Sequence, residues 1–113
     1  MNWNELSTLN QLEQIDELSK TKPVLILKHS TTCSISRASL GRIERTWSDE
    51  NTMAITPYYL DLLAYRNISN KIAQRYGVTH ESPQILLIKN GKSVYSESHM
   101  AINVAEILEQ VSK

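Results

Sequence analysis

The chain has 113 residues, enough for one compact domain over 1–113 and too few for a second core. Hydrophobic residues make up 41% and charged residues 21%, with only three Gly and three Pro, which excludes collagenous, disordered and low-complexity classes. Twelve basic residues balance twelve acidic ones, so no nucleic acid and no membrane surface is expected as a partner, and no apolar run is long enough to cross a bilayer.

The opening Met1-Asn2-Trp3-Asn4-Glu5 has neither the basic nor the apolar region of a secretory leader, so a cytoplasmic setting is expected. Leu9, Leu12, Ile15 and Leu18 recur at near-helical spacing, with Thr8 and Gln11, or Asn10 and Glu13, as a capping-box pair. Pro23 ends that helix and leads into Val24-Leu25-Ile26-Leu27, an unbroken apolar run that suits a central strand buried on both faces. Ile35, Ala38 or Ser39, Ile43 and Trp47 then mark one face of a helix running to about Ser48. A second strand is expected over 55–62, with Pro57 delaying its hydrogen-bonded part to Tyr58. The spacing predicts a helix over 67–76, capped by Asn67 or Ser69 and closed by Gly77. Strands over 83–88 and 93–97 flank Asn90-Gly91, the strongest two-residue hairpin signal. Val104, Ile107, Leu108 and Val111 form the face of a last helix, with Asn103 and Glu106 as its capping pair. This order predicts an α/β fold: a four-stranded mixed sheet with helices on both faces, plus an N-terminal helix.

Cys33 is the single cysteine, which excludes an internal disulfide and a Cys-pair zinc site. It opens the helix that follows the first core strand, where free amide groups and the positive end of the helix dipole favour an anion. A thiol in such a place typically has its pKa lowered from about 8.5 to roughly 3.5–7.5, whereas a lone cysteine elsewhere is a small buried hydrophobe. Where a C-x-x-C motif would carry its second thiol, this chain has Ser36. A serine hydroxyl can donate a hydrogen bond to a thiolate, but it cannot attack a mixed disulfide. The second thiol must then come from another molecule. Ser34 and Ser36 also read simply as helix-start residues. Ser82-Pro83 stands before the third core strand, the place where redox domains of this order keep a cis-proline beside the thiol. A cis bond there would open the backbone of Ser82 to a substrate strand, and a trans proline would merely begin an edge strand.

The stretches Lys28-His29-Ser30-Thr31-Thr32-Cys33-Ser34-Ile35-Ser36 and His80-Glu81-Ser82-Pro83-Gln84, in this order and spacing, resemble the YtxJ-type monothiol bacilliredoxins of the bacillithiol system. Tyr65-Arg66-Asn67-Ile68-Ser69 and Lys89-Asn90-Gly91-Lys92 extend the resemblance over most of the chain after Pro23. One departure is Ser34, where the family commonly has proline. The resemblance implies a thioredoxin-like fold, a cis Ser82-Pro83 bond and a monothiol mechanism in which the Cys33 thiolate takes bacillithiol from a protein mixed disulfide. It implies bacillithiolated client proteins as partners and a low-molecular-weight thiol or a partner redoxin as reductant. Bacillithiol is then a co-substrate, with no bound cofactor. Around the thiol it implies Thr32, Ser36, His29 and Arg37 as supports, and Ser34, Ile35, Ser82 and Pro83 as substrate contacts. His29 would hold a proton near neutral pH and steady the thiolate, or else is a packed strand residue. Because bacillithiol carries malate carboxylates, fixed cations are expected nearby, with Lys28 and Arg66 weaker candidates than Arg37. His80 either faces the thiol or sits in a surface turn. His29, His80 and Cys33 lack metal-motif spacing, and no metal is expected. Two other readings are a monothiol redoxin carrying an iron–sulfur cluster and a redox-inactive interaction module of the same fold. The cluster carriers generally have Gly-Phe after the cysteine, where Ser34-Ile35 stand here.

Overall fold

The computed structural model describes residues 1–113 and places the strands in one sheet. In chain order the elements are β1 (Asn4–Glu5), α1 (Asn10–Leu18), β2 (Val24–His29), α2 (Ser34–Thr46), α3 (Asp49–Ala54), β3 (Thr56–Asp61), α4 (Arg66–Tyr76), β4 (Gln84–Lys89), β5 (Lys92–Ser98), a 3-10 turn (His99–Ala101) and α5 (Val104–Val111). The sheet order is β1-β3-β2-β4-β5, with β1, β3 and β2 parallel, β4 antiparallel to β2, and β5 antiparallel to β4. The sheet therefore has five strands, not the expected four. The extra strand is β1, two exposed residues whose pairing with Tyr58 and Tyr59 leaves no apolar alternation to read.

All six residues of β2 are buried, as its unbroken apolar run requires. Val24 and Ile26 pack with Leu12 and Ile15 of α1 and Ile68 and Ile72 of α4 on one face. Leu25 and Leu27 pack with Ile43 of α2 and Val104 and Ile107 of α5 on the other. Period-two alternation thus gives each sheet face its own core.

Several boundaries differ from the sequence expectation for local reasons. Gln11 Oε1 accepts from the amides of Ser7 and Thr8, so the Thr8–Gln11 pairing closes the start of α1 and Asn10–Glu13 does not. The helix expected to reach Ser48 breaks at Trp47, whose ψ of 125° is extended, and α3 restarts from Ser48, whose hydroxyl accepts from Asn51 N–H. Pro57 does not delay β3. Thr56 N–H donates to Pro23 on the β2 side, so Pro57 faces β1, where no ladder bond is lost. α4 starts at Arg66 without a side-chain cap, so neither Asn67 nor Ser69 caps it; Asp61 instead receives the amides of Leu63 and Ala64 ahead of it. Gly77 ends α4 at φ 65°, and Asn90 and Gly91 both have positive φ, as a type I′ hairpin demands. Asn103 caps α5 by accepting from Glu106 N–H at 2.8 Å.

The hairpin tip is tied to the end of α1 by one residue. Ser19 Oγ accepts from Gly91 N–H at 2.8 Å and donates to Asp16 O at 2.7 Å, while Ser19 O accepts from Asn90 N–H. Ser19→Ala strands the Gly91 amide and is expected to cost about 1–2 kcal/mol. Urea unfolding checks this: the midpoint should fall with an unchanged slope, and no fall would mean that the tip is held by the backbone bond alone.

Candidate functional site

Cys33 is the N-cap of α2, in extended conformation (φ −98°, ψ 123°), half-buried at the carboxyl end of β2. Its amide donates to Ser30 O and its carbonyl accepts from Arg37 N–H, so the turn and the first helical residues are fixed around the sulfur. Ser34 and Ile35 are exposed beside it, and Ile35 leaves an apolar side chain at the rim. Lys28 pairs with Gln84 across β2 and β4, and the same register sets Ser82-Pro83 opposite His29-Ser30, on the flank of the cysteine turn. The Ser82-Pro83 bond is cis, as the family resemblance implied. Pro83 is buried and accepts from His99 N–H, whereas the Ser82 hydroxyl has no partner within the chain.

Ser36 does not turn its hydroxyl to the thiol. The residue is fully buried, its Oγ accepts from Ser30 N–H at 3.0 Å, and it shares a hydrogen bond of 2.7 Å with His29 Nδ1. Side chains on a helix tilt toward its N-terminus, so the third residue of α2 points back at the end of β2 rather than out toward the cap. His29 is likewise not a proton store at neutral pH. Burial pushes its pKa below the usual 6.5, opposed by Asp61, Glu44 and Ser36 and assisted by Arg37. The imidazole is therefore neutral at pH 7 and acts as a wedge between β2 and α2. Arg37 is exposed in the first turn, and Thr32 approaches Ser30 Oγ at 3.5 Å.

Lys28, expected as a possible cation at the rim, is fully buried on the opposite sheet face. Its ammonium donates to Ser69 O at 3.1 Å and lies 3.3 Å from His80 Nδ1, with no carboxylate partner. Burial lowers its pKa to about 8. His80 is itself lowered by burial and by the Lys28 and Arg66 charges, so it meets Lys28 as a neutral acceptor. His29 and His80 bond on opposite faces of the sheet, and the structure does not gather them with Cys33.

Sequence reading misses a neighbouring group. Trp3, Glu5, Tyr59 and Asp61 line a cleft of about 380 Å3 along the β1–β3 edge. Tyr59 lies 5.5 Å from the His29 ring, which links the cleft to the cysteine turn through Ser36. The only available signal was the i, i+2 pairing of an aromatic with an acid in Trp3/Glu5 and Tyr59/Asp61. A larger concavity, about 520 Å3, lies along α1 at Gln14, Glu17, Leu18 and Thr21, toward the hairpin end of the sheet and away from Cys33.

Comparison with known proteins places this geometry. The sequence matches the monothiol bacilliredoxin BrxC family over residues 4–107. The chain belongs to that family. A solved structure described as a candidate oxidoreductase with a thioredoxin fold is 35% identical, with a TM-score of 0.80 over 96% of this chain and 92% of its own. The thioredoxins of Malassezia sympodialis (17% identity, TM-score 0.74, 98% of this chain and 89% of that one) and Fasciola hepatica (20%, 0.71, 96% of each) share the fold. This bacilliredoxin is thus a thiol-redox protein of thioredoxin fold, an oxidoreductase in general terms. No helix is long and apolar enough to cross a membrane.

The buried ammonium yields a test. Below pH 8 the folded and unfolded chains both hold the Lys28 proton, and the desolvation cost is present in full. Between about 8 and 10.5 the unfolded chain keeps a proton that the folded one has released, so stability gains with rising pH across that window. Lys28→Met should be about 1–3 kcal/mol more stable than the parent at pH 7. The difference should close between pH 8 and 10.5 in parallel denaturation curves; a pH-independent difference would mean that packing, not charge, sets it.

Proposed function

We propose that this bacilliredoxin removes bacillithiol, or a similar small thiol, from mixed disulfides on cytoplasmic client proteins, using Cys33 alone. The observation that carries the reading is the pairing of one cysteine at the start of α2 with a serine three residues on whose hydroxyl is already spent on His29 and Ser30. The chain holds no second thiol, so the exchange must end on an outside molecule.

The Cys33 thiolate attacks the bacillithiol sulfur of the client's mixed disulfide. A new S–S bond forms between Cys33 and bacillithiol as the old one breaks, and the client sulfur leaves as a thiolate and takes a proton from solvent. A second low-molecular-weight thiol, or a partner redoxin, then attacks the bacillithiol sulfur on Cys33 and releases it as thiolate. Each step exchanges one disulfide for another, so no net electron is left on the protein. Cys33 stands at the N-cap of α2, the positive end of the helix dipole, which favours the thiolate there. His29 and Ser36 hold that turn against β2, and Thr32 and Arg37 flank it. Ile35 supplies apolar contact to the client, and the backbone at Ser82-Pro83, on the flank of the cysteine turn, pairs with the client strand.

Intact-mass measurement after mixing the reduced protein with a bacillithiolated client should show the adduct on Cys33 and a freed client thiol. Cys33→Ser should show neither, and retained transfer by that variant would move the chemistry elsewhere. The parent, with no second thiol, should show no disulfide-reductase turnover on insulin. A parent that already reduces insulin would contradict the single-thiol assignment.

A further inference from the structure

The cleft beside the cysteine turn has a composition that the thiol chemistry does not use. Its walls are the rings of Trp3 and Tyr59, 6.1 Å apart at 60°, and the carboxylates of Glu5 and Asp61. A third carboxylate, Glu44 of α2, holds Trp3 in place by accepting from its indole N–H at 3.1 Å. The chain's ion pairs are Lys20–Glu17, Arg75–Asp16 and His99–Glu81, so none of these three carboxylates is neutralised by a cation of the chain. Twelve basic side chains were available to do so. The Tyr59 hydroxyl also makes no hydrogen bond within the chain, although the ring is half-buried. At about 380 Å3 the cleft falls in the lower part of the size range of small-ligand sites, about 300–1,000 Å3.

Aromatic faces flanked by unpaired carboxylates suit an organic cation, which gains from ring quadrupoles and from charge together. A hard divalent metal ion is poorly matched, because it needs six or more oxygen ligands and two of these walls are carbon. The cleft also has a defined relation to the thiol. Tyr59 packs on His29, His29 bonds Ser36, and Ser36 stands in the turn that Cys33 caps. A client whose cysteine lies at Cys33 would have neighbouring residues within reach of the β1–β3 edge. On the thiol side the field comes from Arg37, and on the cleft side from Glu5, Glu44 and Asp61, so a bound segment is oriented by charge.

We propose that this cleft receives a Lys or Arg side chain of the client protein, placed a few residues from the modified cysteine, and so selects and orients clients. The proposal rests on the thiol-transfer reading, and its test separates the two. The binding arm uses 15N-labelled Cys33→Ser protein, which cannot exchange thiols, and two matched peptides with serine at the client cysteine. One peptide carries Arg at the flanking positions, the other Gln. The Arg peptide should shift the Trp3 indole signal saturably and leave that of Trp47, whose indole is held by Thr52, unchanged. Glu5→Gln combined with Asp61→Asn should weaken binding about three- to tenfold, and salt of roughly 0.5 M should weaken it as well. The Asp61→Asn oxygen can still accept the Leu63 and Ala64 amides, so the loop is kept. Equal binding of both peptides, or shifts confined to other surfaces, would overturn the cleft.

The transfer arm compares mixed disulfides of the same two peptides, with cysteine restored, on the parent protein. Faster transfer from the Arg peptide supports client selection. Transfer at equal rates with an unmoved Trp3 signal defeats the cleft and leaves the thiol reaction standing. An Arg-selective Trp3 shift with no transfer from either peptide defeats the thiol reaction and leaves the cleft as a cation site.

Discussion

The thiol end of this molecule depends on the burial of β2 on both faces up to its last residue. A strand that runs out of apolar residues before it runs out of burial must deliver polar side chains into core positions. Here the last two are Lys28 and His29, and alternation sends them to opposite layers. Each must find hydrogen bonds where water is excluded, because an unpaired buried donor costs about 1–3 kcal/mol. Lys28 finds Ser69 O on α4 and His80 in the loop before Ser82-Pro83; His29 finds Ser36 on α2. The two loops that flank the sulfur are therefore anchored to the same strand end, from opposite sides of the sheet.

Position 36 then has a structural duty that is independent of redox chemistry. Its side chain must accept from Ser30 N–H and meet His29 Nδ1, both inside a fully buried site. A hydroxyl does this with short, strong bonds, whereas a thiol is a weak donor and a weak acceptor. Serine at this place thus does more than omit a second thiol. It locks the cysteine turn to the sheet, and the single-thiol chemistry and the rigidity of the turn come from one substitution pattern.

Where periodicity was strong, the sequence was legible: β2, the hairpin at Asn90-Gly91, the Gly77 stop and the Asn103 cap all lie where spacing and turn chemistry put them. Cys33 was legible too, since its place after a core strand is a local fact. The failures have a common cause in information held by another part of the chain. β1 exists because β3 offers Tyr58 and Tyr59 an edge, and Asn4-Glu5 carry no strand pattern of their own. Pro57 is harmless inside β3 only because its nitrogen faces the edge that β1 barely reaches. The Ser36 hydroxyl has two plausible partners by spacing, the thiol and the strand end, and only the direction of the side chain chooses between them. The cleft joins Trp3 and Glu5 to residues more than fifty positions away, beyond any local motif.

A formal charge of zero excluded a broad affinity for polyanions, yet it said nothing about how the charge is arranged. Around Cys33 the arrangement is polar. Arg37 stands in the first turn of α2, while Glu5, Glu44 and Asp61 gather at the β1–β3 edge and raise the pKa of Tyr59, after burial has done so. A thiol reaction has little discrimination of its own, since any accessible mixed disulfide presents the same two sulfurs. Selectivity must therefore come from surfaces beside the sulfur. On this molecule the surface with unmatched charge, aromatic walls and a packed connection to the cysteine turn is the edge that the two-residue β1 completes. The smallest element of the fold supplies one of the four residues that shape it, Glu5, and the residue just before that strand, Trp3, supplies another.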